Sequence, residues 1–440
     1  MPFALAPIAA WIWLVASAPA PTPTPVPRTA LDLAQAGDRA YRANDMATFL
    51  RDYEEAVRLR PGDTRLLYNL ACAQSRNGQT EAALATLRGL AGRRASFDLA
   101  GDTDFDPIRK EKGFAEVAAK MAALQNERIT SGAVPAFTIP EKELAPEGVA
   151  YDPVTRAFFV ASVRKGKILR IGPDGKVTDF VPPGQGLRSA LGIGVDAKRR
   201  TLWAVNETIP LMNGATDADR DRPDSALFEF DLDTGRLRGK HVPPASPNAP
   251  HFDDLSVAAD GRVYVNDGFH PRIYVFDPRR DSSGALEVWL ESSGIDGGTQ
   301  GLAATPDGRA LYVSDYRGLY RVDTATRRVT PIPVPADVSL NGVDGLVLFG
   351  NSLIGIQNGV VPHRVTRVDL APDGVGVVGA RILEMNHPAF DEPTLGTIVD
   401  GTLYFTANNQ GHRYYDTKHP YKPEDLQDAV ILKLPLTPSP

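Results

Sequence analysis

The chain has 440 residues, 42% of them hydrophobic and 23% charged, with a formal net charge of -6; such a composition folds, and disorder along the whole length is excluded. Its 39 Gly and 37 Pro exceed the usual shares of about 7% and 5%, which predicts frequent turns and short strands. Scattered Lys and Arg in an acidic balance form no basic stripe, so nucleic acid is not an expected partner, and the lone Cys72 leaves no internal disulfide or CxxC site.

Residues 3–16 form an apolar run, followed by Ser17, Ala18 and Ala20 and then by the Pro-rich stretch 21–27. Residues 1–29 therefore read as a secretory leader with a stiff spacer, and the chain is expected to be exported, to the periplasm or beyond the cell. No Lys or Arg precedes the run, and Pro follows each Ala-x-Ala-like site, which leaves cleavage open. The run is shorter than the ~20 residues of a bilayer-spanning helix, so no stable transmembrane anchor is expected.

From residue 30 to 126 the apolar spacing is helical. Leu33, Gly37, Ala40, Tyr53, Ala56 and Pro61 recur in kind as Leu67, Leu70, Ala71, Ala83, Leu87 and Leu90, at a period of 34 residues. The stretch resembles two tetratricopeptide repeats, with a partial third ending in a helix over 113–124. So few repeats are expected to lean on the rest of the chain, and such a module offers a surface to a protein partner. Cys72 reads as a small buried hydrophobe.

Over 134–436 the helical spacing gives way to short β-rich runs. PEGVAYDP, ALGIGVDA, FDDLSVAADG, TQGLAATPDG, VDGLVLFGN and PTLGTIVDG align, each followed by a second run such as FFVAS or LYVSD. Glu147, Leu191, Asp253, Gln300, Asp344 and Leu395 fall in register at steps of 44 to 62 residues. Six such units predict a mainly β fold, a six-bladed β-propeller behind an N-terminal helical module. The strand near 134–140 is expected to complete the last blade and close the ring.

In a propeller the residues opening the innermost strands converge at one mouth of the central channel. Glu147, Asp253, Gln300 and Asp344 are the polar members of that set. Three converging carboxylates repel unless a cation lies between them, and an all-oxygen donor set suits calcium, or another hard divalent cation, better than zinc. Turn residues facing solvent remain the plainer alternative. A second polar tier, Asn206, Asp267, Asp315, Gln357 and Asn408, closes the second strands and is expected to orient a small-molecule substrate. His251 and His270 stand close enough in sequence to serve as acid or base, or as ordinary loop histidines. The insert TDADRDRPD (216–224) lacks the Gly and final Glu of a calcium loop and reads as a solvated lid.

With E-G in the first unit, D-D-L before an ADG turn in the third, Q-G-L in the fourth and D-G-L in the fifth, residues 134–436 resemble the senescence marker protein (regucalcin), gluconolactonase and luciferin-regenerating enzyme family. The resemblance implies a divalent ion at the mouth, polarising a lactone or ester carbonyl, with an Asp as base or nucleophile. Glu147 and Asp344 match the family's Glu and Asp by position, while Asp253 and Gln300 stand where the family has Asn. The expected function is thus metal-dependent hydrolysis of lactones or related esters, with Asp344 as the catalytic carboxylate. A non-catalytic propeller that binds a small ligand or protein and assembles through the repeats is the competing reading, and a lyase the third.

Overall fold

The computed structural model describes residues 28–216, 224–280, 284–335, 337–415 and 422–437. The leader, apart from Arg28 and Thr29, and nearly all of the 216–224 insert lie outside the described residues. No helix among the described residues is long and apolar enough to cross a membrane.

The helical module opens where Thr29 and Asp32 cap each other at the start of α1 (Ala30–Arg42). Asp45 caps α2 (Met46–Leu59), and Asp63 caps α3 (Thr64–Arg76), which is followed by α4 (Thr80–Gly92) and α5 (Lys112–Leu124). Gly37 lies under the Tyr53 ring, where a Cβ would come within 2.7 Å, so the first hairpin closes only because that residue has no side chain. Leu33, Tyr53, Leu70, Leu87, Phe105 and Met121 belong to one continuous core, separate from the cores of the ring. Cys72 is buried in it, as the apolar spacing implied.

The rest of the chain forms six four-stranded antiparallel sheets, the blades of a β-propeller. Their inner strands are Pro146–Asp152, Ser189–Asp196, Leu255–Val257, Thr299–Ala304, Val343–Phe349 and Gly396–Val399, from blade 1 to blade 6. Each packs beside the next, and the sixth packs beside the first. Five of the second strands, Ala157–Ser162 and Ser352–Gln357 among them, are buried along their whole length, which accounts for their unbroken apolar runs, whereas Thr402–Thr406 of blade 6 is half-buried at Thr402 and Tyr404. Val134–Ile139 pairs with Ala429–Pro435 and becomes the outer strand of blade 6, so the ring is closed by a strand from its front.

The module is fastened to the ring by polar contacts. Arg364, fully buried in blade 5, has no carboxylate partner in the hydrogen bonds it makes; its Nη2 donates to the Arg94 carbonyl (2.6 Å) and its Nη1 to that of Arg93 (3.3 Å), just beyond the end of α4. A cation there satisfies exposed carbonyls and suits the negative end of the helix. The link between module and ring is pinned by Glu384, whose Oε1 accepts from the backbone nitrogens of Ser131 (2.6 Å) and Ala133 (2.9 Å).

Candidate functional site

The ladder between first and second strands slips register at Pro146/Val149, Ala190/Ile193, Thr299/Leu302 and Val343/Gly345. A bulge re-aims the residue it contains, and those bulges hold Glu147, Leu191, Gln300 and Asp344. The glycine after each site residue is required by closeness to the next blade. A Cβ on Gly148 would lie 2.6 Å from the Leu191 carbonyl oxygen, and one on Gly345 2.5 Å from that of Thr394. In blade 3 the same place is taken by Asp254, a buried carboxylate that accepts from the Leu302 backbone nitrogen (3.3 Å). Burial, then the neighbouring Asp344 and Asp253, push it up to about 8 against the pull of its backbone hydrogen bonds.

Glu147, Asp253 and Asp344 line one cavity of about 360 Å3 at the mouth. Leu191, Ile209 and Leu211 form its apolar wall, and among the described residues no Lys or Arg lines it. Asn409 Nδ2 donates to Glu147 Oε2 (2.6 Å), and Asn358 Nδ2 donates to Asp344 Oδ2 (2.6 Å). Burial first, then repulsion from Asp344 and Asp253, holds Glu147 well above the usual carboxylate range. Burial and Asp253 push Asp344 up to about 7, although Asn358 pulls the other way. These shifts are the electrostatic signature of acids crowded in a buried place. Their oxygens do not all lie within 4.8 Å of one another; among the described residues the trio that does is Cys72, Asp102 and Asp104 in the helical module. There burial, then Asp102 and Asp104, drive the thiol pKa upward, so Cys72 stays a neutral thiol, a poor metal ligand.

Gln300 is buried and does not line the cavity; its amide lies against the Tyr316 phenol. His251 does line it. His251 Nε2 lies 3.1 Å from Asp253 Oδ1 and its Nδ1 3.6 Å from Glu207 Oε2, while Phe269 stacks on its ring at 4.4 Å. Burial opposes the imidazolium, but Asp253, Glu207 and Asp267 outweigh it and raise His251 to about 9. His270 instead turns back on Asp267, with Nδ1 3.0 Å from Oδ2.

The second tier is placed elsewhere. Asn206, Asp267, Asp315, Gln357 and Asn408 are fully buried, and none lines the cavity. Their polar atoms hold loops in place. Asn206 accepts from the Arg188 nitrogen, Asp315 from those of Arg317 and Gly318, and Asp267 from that of His251. Gln357 donates to the carbonyls of Ser339 and Asn341, and Asn408 to that of Asp428. The residues that follow three of them reach the mouth instead: Asn358 and Asn409 line the cavity, and Gly268 lies so near Asp253 that any Cβ would collide with its carboxylate. Side chains alternate along a strand, so a step of one residue separates the buried set from the mouth set. Glu392, also in the wall, has no repeat counterpart; it sits in a left-handed conformation (φ 63°) and accepts from the His412 nitrogen (2.8 Å).

The family model of the tetratricopeptide repeat matches residues 52–85, from within α2 into α4. Among solved structures the chain is similar to a gluconolactonase from Xanthomonas campestris, at 16% identity over 71% of this chain and 97% of that one, with a TM-score of 0.46. It is similar to regucalcin, a calcium-binding protein of Agrobacterium tumefaciens, at 14% identity over 69% and 94%, with a TM-score of 0.46. Virginiamycin B lyase from Staphylococcus aureus gives 14% identity over 70% and 99%, with a TM-score of 0.43. No curated protein matches the sequence.

Proposed function

We propose that the protein is a divalent-cation-dependent hydrolase of lactones or related esters. The supporting observation is that Glu147, Asp253 and Asp344, from three blades, line one cavity whose wall holds no Lys or Arg among the described residues. The donor set fits a hard cation, calcium above all, because it consists of carboxylate and amide oxygens. Glu147, Asp253 and Asp344 would hold the ion, while Gln300, buried and outside the cavity wall, is not among its holders. Such an ion supplies Lewis acidity toward a carbonyl oxygen. The protein's own groups do the rest. Asn358 grips Oδ2 of Asp344, which leaves Oδ1 to take a proton from water or to attack a carbonyl directly. Asn409 holds Oε2 of Glu147 in place, and Leu191, Ile209 and Leu211 give the cavity an apolar side against which the rest of a substrate can pack.

The test is metal analysis of the purified chain, with a panel of lactones and aryl esters assayed with and without chelator. Turnover that chelation abolishes and calcium restores is the expected result. With no turnover across the panel, a binding propeller that assembles through its helical module replaces the hydrolase. Export of the chain is part of the same proposal, and it rests on the apolar run and Pro-rich spacer at the start of the sequence.

A further inference from the structure

The rim of the mouth is not built by the ring alone. The turn between α2 and α3 is held against blades 4 and 5: Arg317 Nη1 donates to Asp63 Oδ2 (2.8 Å), the Thr64 nitrogen donates to Asn341 Oδ1 (2.8 Å), and Gly62 packs on Val334. Asn341 in turn donates to the Tyr316 carbonyl (3.3 Å). These contacts fix the next residue, Arg65, beside Gly359, whose carbonyl lies 3.5 Å from Nη2. Gly359 directly follows Asn358, which is in the cavity wall and grips Asp344. Arg65 is exposed, and that carbonyl is its one side-chain hydrogen bond among the described residues. Tyr316 marks the same place. Burial, then Asp253 and Asp344, push its phenol up to about 12 while Arg65 pulls it down, so the acids of the mouth and the arginine both act on this one side chain.

We propose that Arg65, presented by the helical module, receives a carboxylate on the substrate, so that the substrate class is a lactone or ester with an anionic tail. The proposal rests on the hydrolase reading. A guanidinium fork matches a carboxylate in two parallel hydrogen bonds, and this one meets no acid among the described residues. The module thereby acts as part of the selectivity wall of the ring.

Calcium-loaded full-length protein is assayed on para-nitrophenyl hydrogen glutarate, which is anionic, and on para-nitrophenyl pentanoate, its neutral counterpart. Binding of glutarate and butyrate is measured by calorimetry on the same samples. The parent is expected to favour the anionic ester in kcat/KM, and Arg65→Gln to lower that preference by about tenfold or more, chiefly through KM. Arg65→Lys should keep part of it, and Arg58→Gln, an exposed residue paired with Glu55 on α2, should keep all of it. An unchanged preference in Arg65→Gln overturns the proposal. If neither ester is turned over, the hydrolase reading fails by itself, and glutarate still decides: weaker binding in Arg65→Gln than in the parent supports the proposal, and equal or absent binding overturns it.

Discussion

Asn358 holds only one oxygen of Asp344, and the chemistry assigned to that carboxylate depends on the other. Asp344→Asn keeps the size and one oxygen donor but removes the basic atom. Turnover should fall by about 10²–10⁴, while calorimetry still detects the cation. Asp253→Asn removes a charge from the same wall and is expected to be far milder in the same assay. Acid crowding also sets a pH dependence. Asp344 (about 7) and Asp254 (about 8) bind protons more readily folded than unfolded. Their contribution to stability is therefore whole below about pH 4 and is lost as the pH climbs through those values. Chelated protein should melt at a lower temperature near about pH 8.5 than near about pH 5.5, and calcium, which favours the ionised forms, should raise Tm more at the higher pH. A chelated Tm that rises over this interval would contradict the crowding. Residues 147, 253 and 344 were legible because each opens a repeat and precedes Gly or Asp at a tight approach. Asn358 and Asn409 were missed by one position each, since composition alone does not tell which of two adjacent polar residues at a strand end turns inward. Glu392 follows no repeat, and only its backbone conformation marks it.

At the scale of elements, the helices and their 34-residue period were readable from apolar spacing, as were the six blades from their recurring turns. The way one sits on the other was not. It depends on pairs far apart in sequence, such as Arg60 with Asp296 (2.7 Å) and Thr64 with Asn341, which have no local pattern. Arg364 is the sharpest of these fasteners. Arg364→Met fills the space but leaves the carbonyls beyond α4 without their charged donor, at a cost of about 1.5–3 kcal/mol per lost bond. Limited proteolysis should then cut first in the link 125–133, well before the ring is attacked. Cleavage at the parent's rate and position would show that the other contacts suffice.

For the whole molecule, the closing strand decides which truncations survive. Removing the helices up to residue 132 leaves Val134–Ile139 in place and should give a ring that still melts cooperatively. Removing residues 28–140 exposes the edge of Ala429–Pro435 and should yield a protein that aggregates on heating, as light scattering would report. Retained cooperativity after the longer deletion would mean that blade 6 is stable with three strands. The same pairing has a consequence in time. Ile139 meets Ala429, and at the usual pace of synthesis the later strand leaves the ribosome about 15–60 s after the earlier one. Through that interval the first strand of the ring waits without its partner. The α2–α3 turn, made earlier still, waits for Arg317 and Asn341 before it can seat. Arg65 therefore reaches the rim only after blades 4 and 5 exist, and a chain stalled before that point holds a finished helical module beside an unfinished mouth.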